Sequence, residues 1–422
     1  MREMKDSGVD WIGEVPASWD MLRIYQLAFP VKNKNEGMKE NNLLSLSYGN
    51  IVQKDINKVD GLVPASYEGY NIIEPGDIVL RFTDLQNDQR SLRTGLCSFN
   101  GIITSAYLTI RPRHELVSSE YFHYVLHFVD TLKVFYNMGG GMRQSLDWHG
   151  VSHMFLPIPP QAEQCRIVAY LDERCAAIDE DVAKRREVIE KLKEYKKSLI
   201  AHAVTKGLDP NVEMKASGVE WIGEMPKDWK MTPNYVALRL TKNNVVGDKA
   251  GDYPLLSLTK QGIIKRNVED GGKFPASFDS YQIVQPGQMV FCLFDIDETP
   301  RTVGLSDIEG MITGAYDVFE INNNVCDPRF VLYYYTAVDD GKHLRLYYKS
   351  MRKTITPPAF AHVKMPIPSL SEQRRIVSYL DERCAAIDEA VSRQEKLIEK
   401  LGEYRKSIIH HAVTGKIDCT EA

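Results

Sequence analysis

The sequence lacks any run of about 18 or more apolar residues, so no membrane-spanning helix is expected. It also lacks an excess of positive charge. Lys and Arg number 52 against 57 Asp and Glu, a formal net charge of −5. Such a chain does not coat nucleic acid by bulk charge, although local basic faces remain open to it. Cysteine is sparse and odd in number, seven residues with no C-x-x-C pair. That argues against a disulfide framework and a cysteine-rich zinc site. The opening MREMKDSGVD has no apolar signal core, which sets the expectation of a cytoplasmic protein.

Catalytic signatures are missing too. There is no P-loop, no G-x-G-x-x-G after a strand, no H-E-x-x-H and no G-x-S-x-G. No Pro-Asp dipeptide occurs, which removes the commonest opening of a nuclease metal site. Thr356-Pro357-Pro358-Ala359-Phe360 faintly resembles an amino-methyltransferase motif, but the leading amide or acid is absent and Ala359 displaces the aromatic residue. It reads as a loop before a strand. No catalytic residue and no metal ligand is assigned, and the chain is expected to be non-catalytic.

What is present is a repeat. YLDERCAAID runs from Tyr170 to Asp179 and again from Tyr379 to Asp388, 209 positions later. SGVDWIGEVP from Ser7 returns as SGVEWIGEMP from Ser217, and LPIPP from Leu156 as MPIPS from Met365. The chain is therefore two copies of one unit, each far longer than the roughly 20–50 residues of a solenoid repeat. Pseudo-two-fold symmetry is the natural expectation for such a duplication.

Each copy opens with W-I-G-E-(V/M)-P-x-x-W, a turn expected to be pinned by aromatic packing. Short β-branched and aromatic runs follow, with EPGD at Glu74 and QPGQ at Gln285 as turn signals. A helix is expected from Ser119 to about Asn137. In the second copy it starts at Asp327-Pro328, an N-cap with Pro at the first helical position. The fold class is α+β: two globular domains, 1–158 and 209–367, each followed by a long helix, 159–208 and 368–422.

The long helices carry an apolar seam with steps of three and four. In the first it comprises Val168, Leu171, Cys175, Ile178, Val182, Ile189 and Leu192; in the second, Val377, Leu380, Cys384, Ile387, Val391, Ile398 and Leu401. Polar residues break the same grid at Arg185 and Lys196, and at Gln394 and Arg405. This is a coiled-coil pattern. Neither helix can bury its seam alone, so the two are expected to pair, antiparallel about the pseudo-two-fold axis, as a spacer between the domains. Two separate helices lying on their own domains are the alternative.

The helices are nearly identical between copies, whereas the globular domains share only a scaffold. A face kept twice suits one partner met twice; a face that diverged suits two targets. The divergent segments hold side chains able to contact bases and phosphates. In the first copy these are Tyr48 and Asn50; Arg81, Thr83, Asn87, Gln89, Arg90 and Arg93; and Arg143 and Gln144 beside three glycines. In the second they are Thr259, Lys260 and Gln261; Arg301, after a shorter, acidic segment; and Lys349, Arg352 and Lys353. Each segment also reads as a plain solvated loop.

Duplicated heads, W-I-G-E-V-P, L-P-I-P-P-Q-A-E-Q and the repeated I-V-A-Y-L-D-E-R core together resemble the specificity subunit of Type I restriction-modification systems. The resemblance covers essentially the whole chain. It implies two target recognition domains, each reading one half of a bipartite, gapped target in double-stranded DNA. It implies paired helices that set the spacer and dock two methyltransferase subunits, with restriction/translocase subunits as further partners. No cofactor is expected in this chain; S-adenosylmethionine belongs to the methyltransferase partners, which methylate adenine. A non-catalytic coiled-coil scaffold with two protein-binding heads is the alternative, and an enzyme with an unrecognised site the more remote one.

Overall fold

The structure, a computed structural model, describes residues 2–56, 64, 66–85, 92–138, 145–241, 245, 251–266, 277–278, 280–348 and 353–419. It divides into two compact units. The first is Met1–Arg185 with Glu395–Ala422, and the second is Arg186–Gln394. The boundary thus falls inside both long helices rather than between the two copies. The physical reason is the seam: a long amphipathic helix needs a partner helix along its apolar stripe, and its own globular domain covers only part of it.

In the first unit a four-stranded sheet runs in the order Ala28–Pro30, Leu108–Pro112, Ile78–Leu80, Thr94–Leu96. Ile78, Val79 and Leu80 are all buried, as befits a strand covered on both faces. Successive side chains alternate faces. Ile78 and Leu80 join the main core with Tyr121, Phe122 and Val125 of the helix Ser119–Thr131. Val79 joins Leu44, Leu46, Ile73 and Ile103 from a second sheet. That sheet orders Asn50–Lys54, Leu43–Ser47, Gly101–Ile103 and Asn71–Ile73, with one parallel pairing, Ile102 with Leu43. The layers are therefore helix, sheet, sheet.

The second unit follows the same plan, with its second layer divided into two strand pairs, Leu256–Thr259 with Gly262–Lys265 and Gln282–Val284 with Gly310–Ile312. Met289 and Phe291 face the helix side of the core, while Val290 packs with Leu256, Val284 and Ile312. The PGD and PGQ turns do the same work in both units. Gly76 and Gly287 take φ of +94° and +86°, and the side chains of Asp77 and Gln288 accept from the backbone N–H of Glu74 and Gln285.

The head helices are capped as their sequences suggest: Ser118 accepts from Tyr121 N–H, and Asp327 from Arg329 and Phe330. The first ends earlier than expected, at Thr131 rather than near Asn137. Lys133 is left-handed, at φ +59°, and a 3₁₀ turn follows over Val134–Asn137. Lys342 breaks the second in the same way.

The long helices span Gln161–Lys206 and Leu370–Val413, and each stops at a left-handed glycine, Gly207 or Gly415. These glycines are where the W-I-G-E-(V/M)-P-x-x-W turns dock. A Cβ on Gly415 would lie 2.3 Å from Pro16 and 3.1 Å from the Trp19 ring; on Gly207 it would lie 3.3 Å from Trp229. At the other end, the repeated Gln of P-I-P-x-x-x-E-Q ties each helix to its head. Gln164 donates to Leu116 and Pro159 carbonyls and accepts from Ser118 N–H; Gln373 does the same with Val325, Pro368 and Asp327.

Within each unit the two helix segments run antiparallel. In the first, Arg2 pairs with Glu163 and lies 4.0 Å from Asp418, while Arg405 meets Asp179. In the second, Gly207 adjoins Glu372 while Lys196 meets Asp388. The seam residues Leu171, Cys175, Ile178, Val377, Leu380 and Cys384 are buried in the main cores, and Ile387 is buried apart from them. Ile189 is also buried, whereas Val182, Leu192, Val391, Ile398 and Leu401 are half-buried.

Candidate nucleic-acid interface

The described ends of two of the three divergent segments of the first head meet just beyond one strand. The chain leaves Ile78–Leu80 through Arg81 and Phe82 and turns at Asp84, which is left-handed at φ +58°. Short acidic and amide side chains tolerate that conformation better than other residues. Leu146, next to the Gly139–Ser145 segment, donates its N–H to the Phe82 carbonyl at 3.1 Å. The third segment, Tyr48-Gly49-Asn50, is the tip of the hairpin Leu43–Ser47/Asn50–Lys54. Gly49 sits against the far end of the Arg81–Arg93 loop, where a Cβ would meet Leu92 at 3.0 Å. The described ends of the three divergent segments are therefore neighbours.

The second head uses the same devices. Asp295 is left-handed at φ +45°, and Ile355 donates to the Leu293 carbonyl at 2.8 Å. The acidic segment is paired with the two described residues that bound the basic stretch: Tyr348 Oη donates to Asp297 at 2.7 Å, and Lys353 Nζ lies 3.2 Å from Glu298. The Tyr348 hydrogen bond, with Lys353 beside it, holds the Asp297 carboxyl below its ordinary range. Thr259, Lys260 and Gln261 form the tip of the hairpin Leu256–Thr259/Gly262–Lys265, and the last two are exposed.

An acid in the head helix anchors each loop exit. Asp130 accepts from the Arg93 N–H at 2.6 Å; Asp339 accepts from Thr302 N–H at 3.1 Å and from its hydroxyl at 2.7 Å. Sequence reasoning passed over this pair. The available signal was a Val-Asp dipeptide at the same place in both copies, Val129-Asp130 and Val338-Asp339.

Among the first-head candidates, Tyr48 and Asn50 are exposed, and Arg81 and Thr83 are half-buried beside the loop. Arg93, read in the sequence as a contact candidate, is turned inward. It is fully buried, and its guanidinium donates to Tyr136 Oη and to the Thr83 and Asp84 carbonyls. A buried guanidinium spends its donors on satisfying the fold, so Arg93 closes the loop from within. Arg301 is similarly committed, at 3.2 Å from Asp339 and 3.1 Å from Asp340, with 17% of its side chain exposed. Lys353 is half-buried and paired as described. Asn87, Gln89, Arg90, Arg143, Gln144, Lys349 and Arg352 lie outside the described residues.

No protein-family model matches the chain. Sequence relatives do. It is 23% identical over 431 residues to a putative type I restriction enzyme MjaX specificity subunit of Methanocaldococcus jannaschii, covering 96% of this chain and 95% of that one. It is also 23% identical over 425 residues to the MjaVIII specificity subunit of the same organism, covering 96% and 94%. This chain is related to type I restriction specificity subunits.

Solved structures agree on the fold. A chain from a study of complex assembly and conformational transition of the type I R-M system matches with a TM-score of 0.69, covering 96% of this chain and 99% of that one at 17% identity. The HsdS subunit of Thermoanaerobacter tengcongensis matches with a TM-score of 0.50, covering 96% and 98% at 16% identity. The sequence relatives carry the resemblance to type I specificity subunits, and the solved structures show the fold.

The repeated helix has two faces in each copy. Part of its sameness serves the molecule itself: Tyr124 Oη donates to Asp172 and Tyr333 Oη to Asp381, tying each head to the YLDERCAAID stretch. The other face is exposed in both copies. It carries Glu173, Arg174 and Ala177, and Glu382, Arg383 and Ala386. Each Arg lies over a Tyr ring, Arg174 at 5.6 Å from Tyr170 and Arg383 at 5.7 Å from Tyr379. Among the described residues no cluster of His, Cys, Asp or Glu is arranged to hold a metal. No helix there is long and apolar enough to cross a membrane.

Proposed function

We propose that this chain is the DNA-recognition subunit of a Type I restriction-modification complex. Each head reads one half of a bipartite, gapped target, and the paired helices set the spacer. The observation that carries this reading is a common frame around different contents. A left-handed Asp opens each loop and a helix Asp closes it, whereas the residues between differ in length, charge and type.

The exposed, repeated face of the long helices supports docking of two identical partners, the methyltransferase subunits. Those partners hold S-adenosylmethionine and transfer the methyl group to adenine; this chain contributes no catalytic group. Restriction/translocase subunits join the same assembly. Sharing the phosphate contacts with the methyltransferase subunits lets this chain remain acidic overall.

The test is a methylome. The chain is expressed with its methyltransferase in a host free of other methylation, and N6-methyladenine is mapped with and without it. A bipartite, gapped motif that appears only with the chain is the expected result. A competent methyltransferase and soluble chain with no new motif would return the protein to the scaffold reading.

A further inference from the structure

One residue at the candidate interface is poorly explained by the stability of the fold. Ser47 and Asn50 are register partners, so the hairpin turns on two residues, Tyr48 and Gly49. Both have positive φ, +48° and +82°. Asn-Gly is the favoured pair for such a turn, because the first position must tolerate a left-handed backbone. A tyrosine there is strained. Packing gives nothing in return: Tyr48 is 85% exposed, the highest value among the exposed large apolar and aromatic residues of the described chain. Among the described residues its hydroxyl has no hydrogen-bond partner, and its ring meets no other ring.

The turn is nevertheless held firmly. Five register pairs zip the hairpin from Leu43–Lys54 to Ser47–Asn50. Gly49 rests on Leu92, and Gly95 lies beneath, where a Cβ would come within 2.6 Å of Leu46. A bare aromatic ring thus stands on a rigid tip next to the Arg81–Arg93 loop. The second head has no such ring. Its tip is Lys260-Gln261, neither of positive φ, followed by Gly262 at +104°.

Resting on the reading of the heads as DNA readers, we infer that Tyr48 is a specificity-determining wedge, stacking its ring on a base step of the half-site read by the first head. Strain kept at an exposed position is characteristic of functional sites. Aromatic and apolar side chains inserted at base steps read how easily a step unstacks. The second head, with Lys260 and Gln261 at the same place, contacts its half-site by charge and hydrogen bonding. The two heads therefore differ in readout chemistry as well as in sequence preference.

The test uses the assembled complex with its methyltransferase, with the motif mapped first for the wild type. Tyr48→Phe, Tyr48→Ala and Tyr48→Asn are then compared on the cognate duplex. Tyr48→Ala and Tyr48→Asn are expected to weaken binding roughly ten-fold, the scale of one lost aromatic–base stack, and to relax the first half-site only. Tyr48→Phe keeps the ring and stays within about two-fold, since a stack does not need the hydroxyl. Tyr48→Asn suits the turn better, so its melting temperature should equal or exceed that of the wild type. A 2-aminopurine placed in the first half-site should brighten with wild type and Tyr48→Phe but not with Tyr48→Ala.

Unchanged affinity and motif in Tyr48→Ala and Tyr48→Asn would overturn the inference alone. Loss of the methyltransferase from the complex in those variants would also overturn it, by making Tyr48 a protein contact. A wild-type complex with no gapped motif would remove the reading of the heads and this inference with it.

Discussion

The Arg405 guanidinium lies 2.6 Å from the Asp179 carboxylate, and the second unit repeats the relationship with Lys196 at 2.6 Å from Asp388. Both cations are the polar breaks in the seam, and both acids close a YLDERCAAID stretch. A break in an apolar seam weakens it but selects register. Here each break reaches across to the partner helix, which sets the antiparallel alignment within each unit.

These pairs are partly exposed, so each should contribute little to stability. Asp179→Ala or Asp388→Ala is expected to lower stability by under about 1 kcal/mol, less in high salt. Leu171→Ala or Leu380→Ala removes a fully buried seam residue and should lower it by about 2–5 kcal/mol. Urea denaturation separates the two classes; a larger effect from the acids than from the leucines would contradict this assignment.

Arg93→Ala is expected to behave as a core substitution. It removes the guanidinium hydrogen bonds to the Thr83 and Asp84 carbonyls and the Tyr136 hydroxyl, so stability should fall by about 1–3 kcal/mol or more. Reading of the first half-site should decline with it. Loss of DNA binding with an unchanged melting temperature would instead make Arg93 a direct contact.

The first head should be more acid-sensitive than the second. Burial lowers His123 to about 4; His127 falls to about 3, through burial first and then the nearby His123 and Arg405. His123 sits by the Thr94 backbone, with its Nε2 buried and unpartnered. Both pKa values are depressed from 6.5 in the folded state, so the unfolded chain binds more protons as the pH falls. Their stabilising contribution is complete above pH 6.5 and is lost progressively towards pH 4 and 3. By pH 5 the loss is on the order of 2 kcal/mol per histidine. The second head has Leu332 and Thr336 at these places. A His123→Leu/His127→Thr double variant should therefore flatten the pH dependence between 7 and 5, as followed by urea midpoints; an unchanged slope would refute it.

Head exchange and helix length test the two-headed reading. Replacing residues 1–160 by another head should change one half of the methylated motif and leave the other. Inserting seven residues after Arg185 and seven after Gln394 keeps the antiparallel seam in phase and adds about 10 Å of helix, the rise of about three base pairs. The gap should lengthen accordingly. A change in both halves, or an unchanged gap, would count against the model.

The duplication, the helix seam, the α+β class and the turn signals were all legible in the sequence. They depend on local periodicity and on comparison of the chain with itself, which need no coordinates. YLDERCAAID recurs whether or not it is folded, and steps of three and four mark an apolar stripe on any helix. The fate of individual polar residues was not legible. Nothing in the sequence marks Arg93 as buried, yet it is sealed inside because the Asp130 carboxylate comes from the head helix and the Tyr136 hydroxyl from the turn after it, some forty residues on. The compact units were decided by tertiary structure as well. A seam declares that it needs a partner, but which stretch covers it depends on where the chain returns: Ile408, Ile409 and Ala412 complete the core of the first head. Tyr48 shows the division most plainly. The sequence supplied a tyrosine before a glycine, and only the folded hairpin set that ring in solvent on a left-handed backbone, because two-residue turns of this kind require positive φ at both positions.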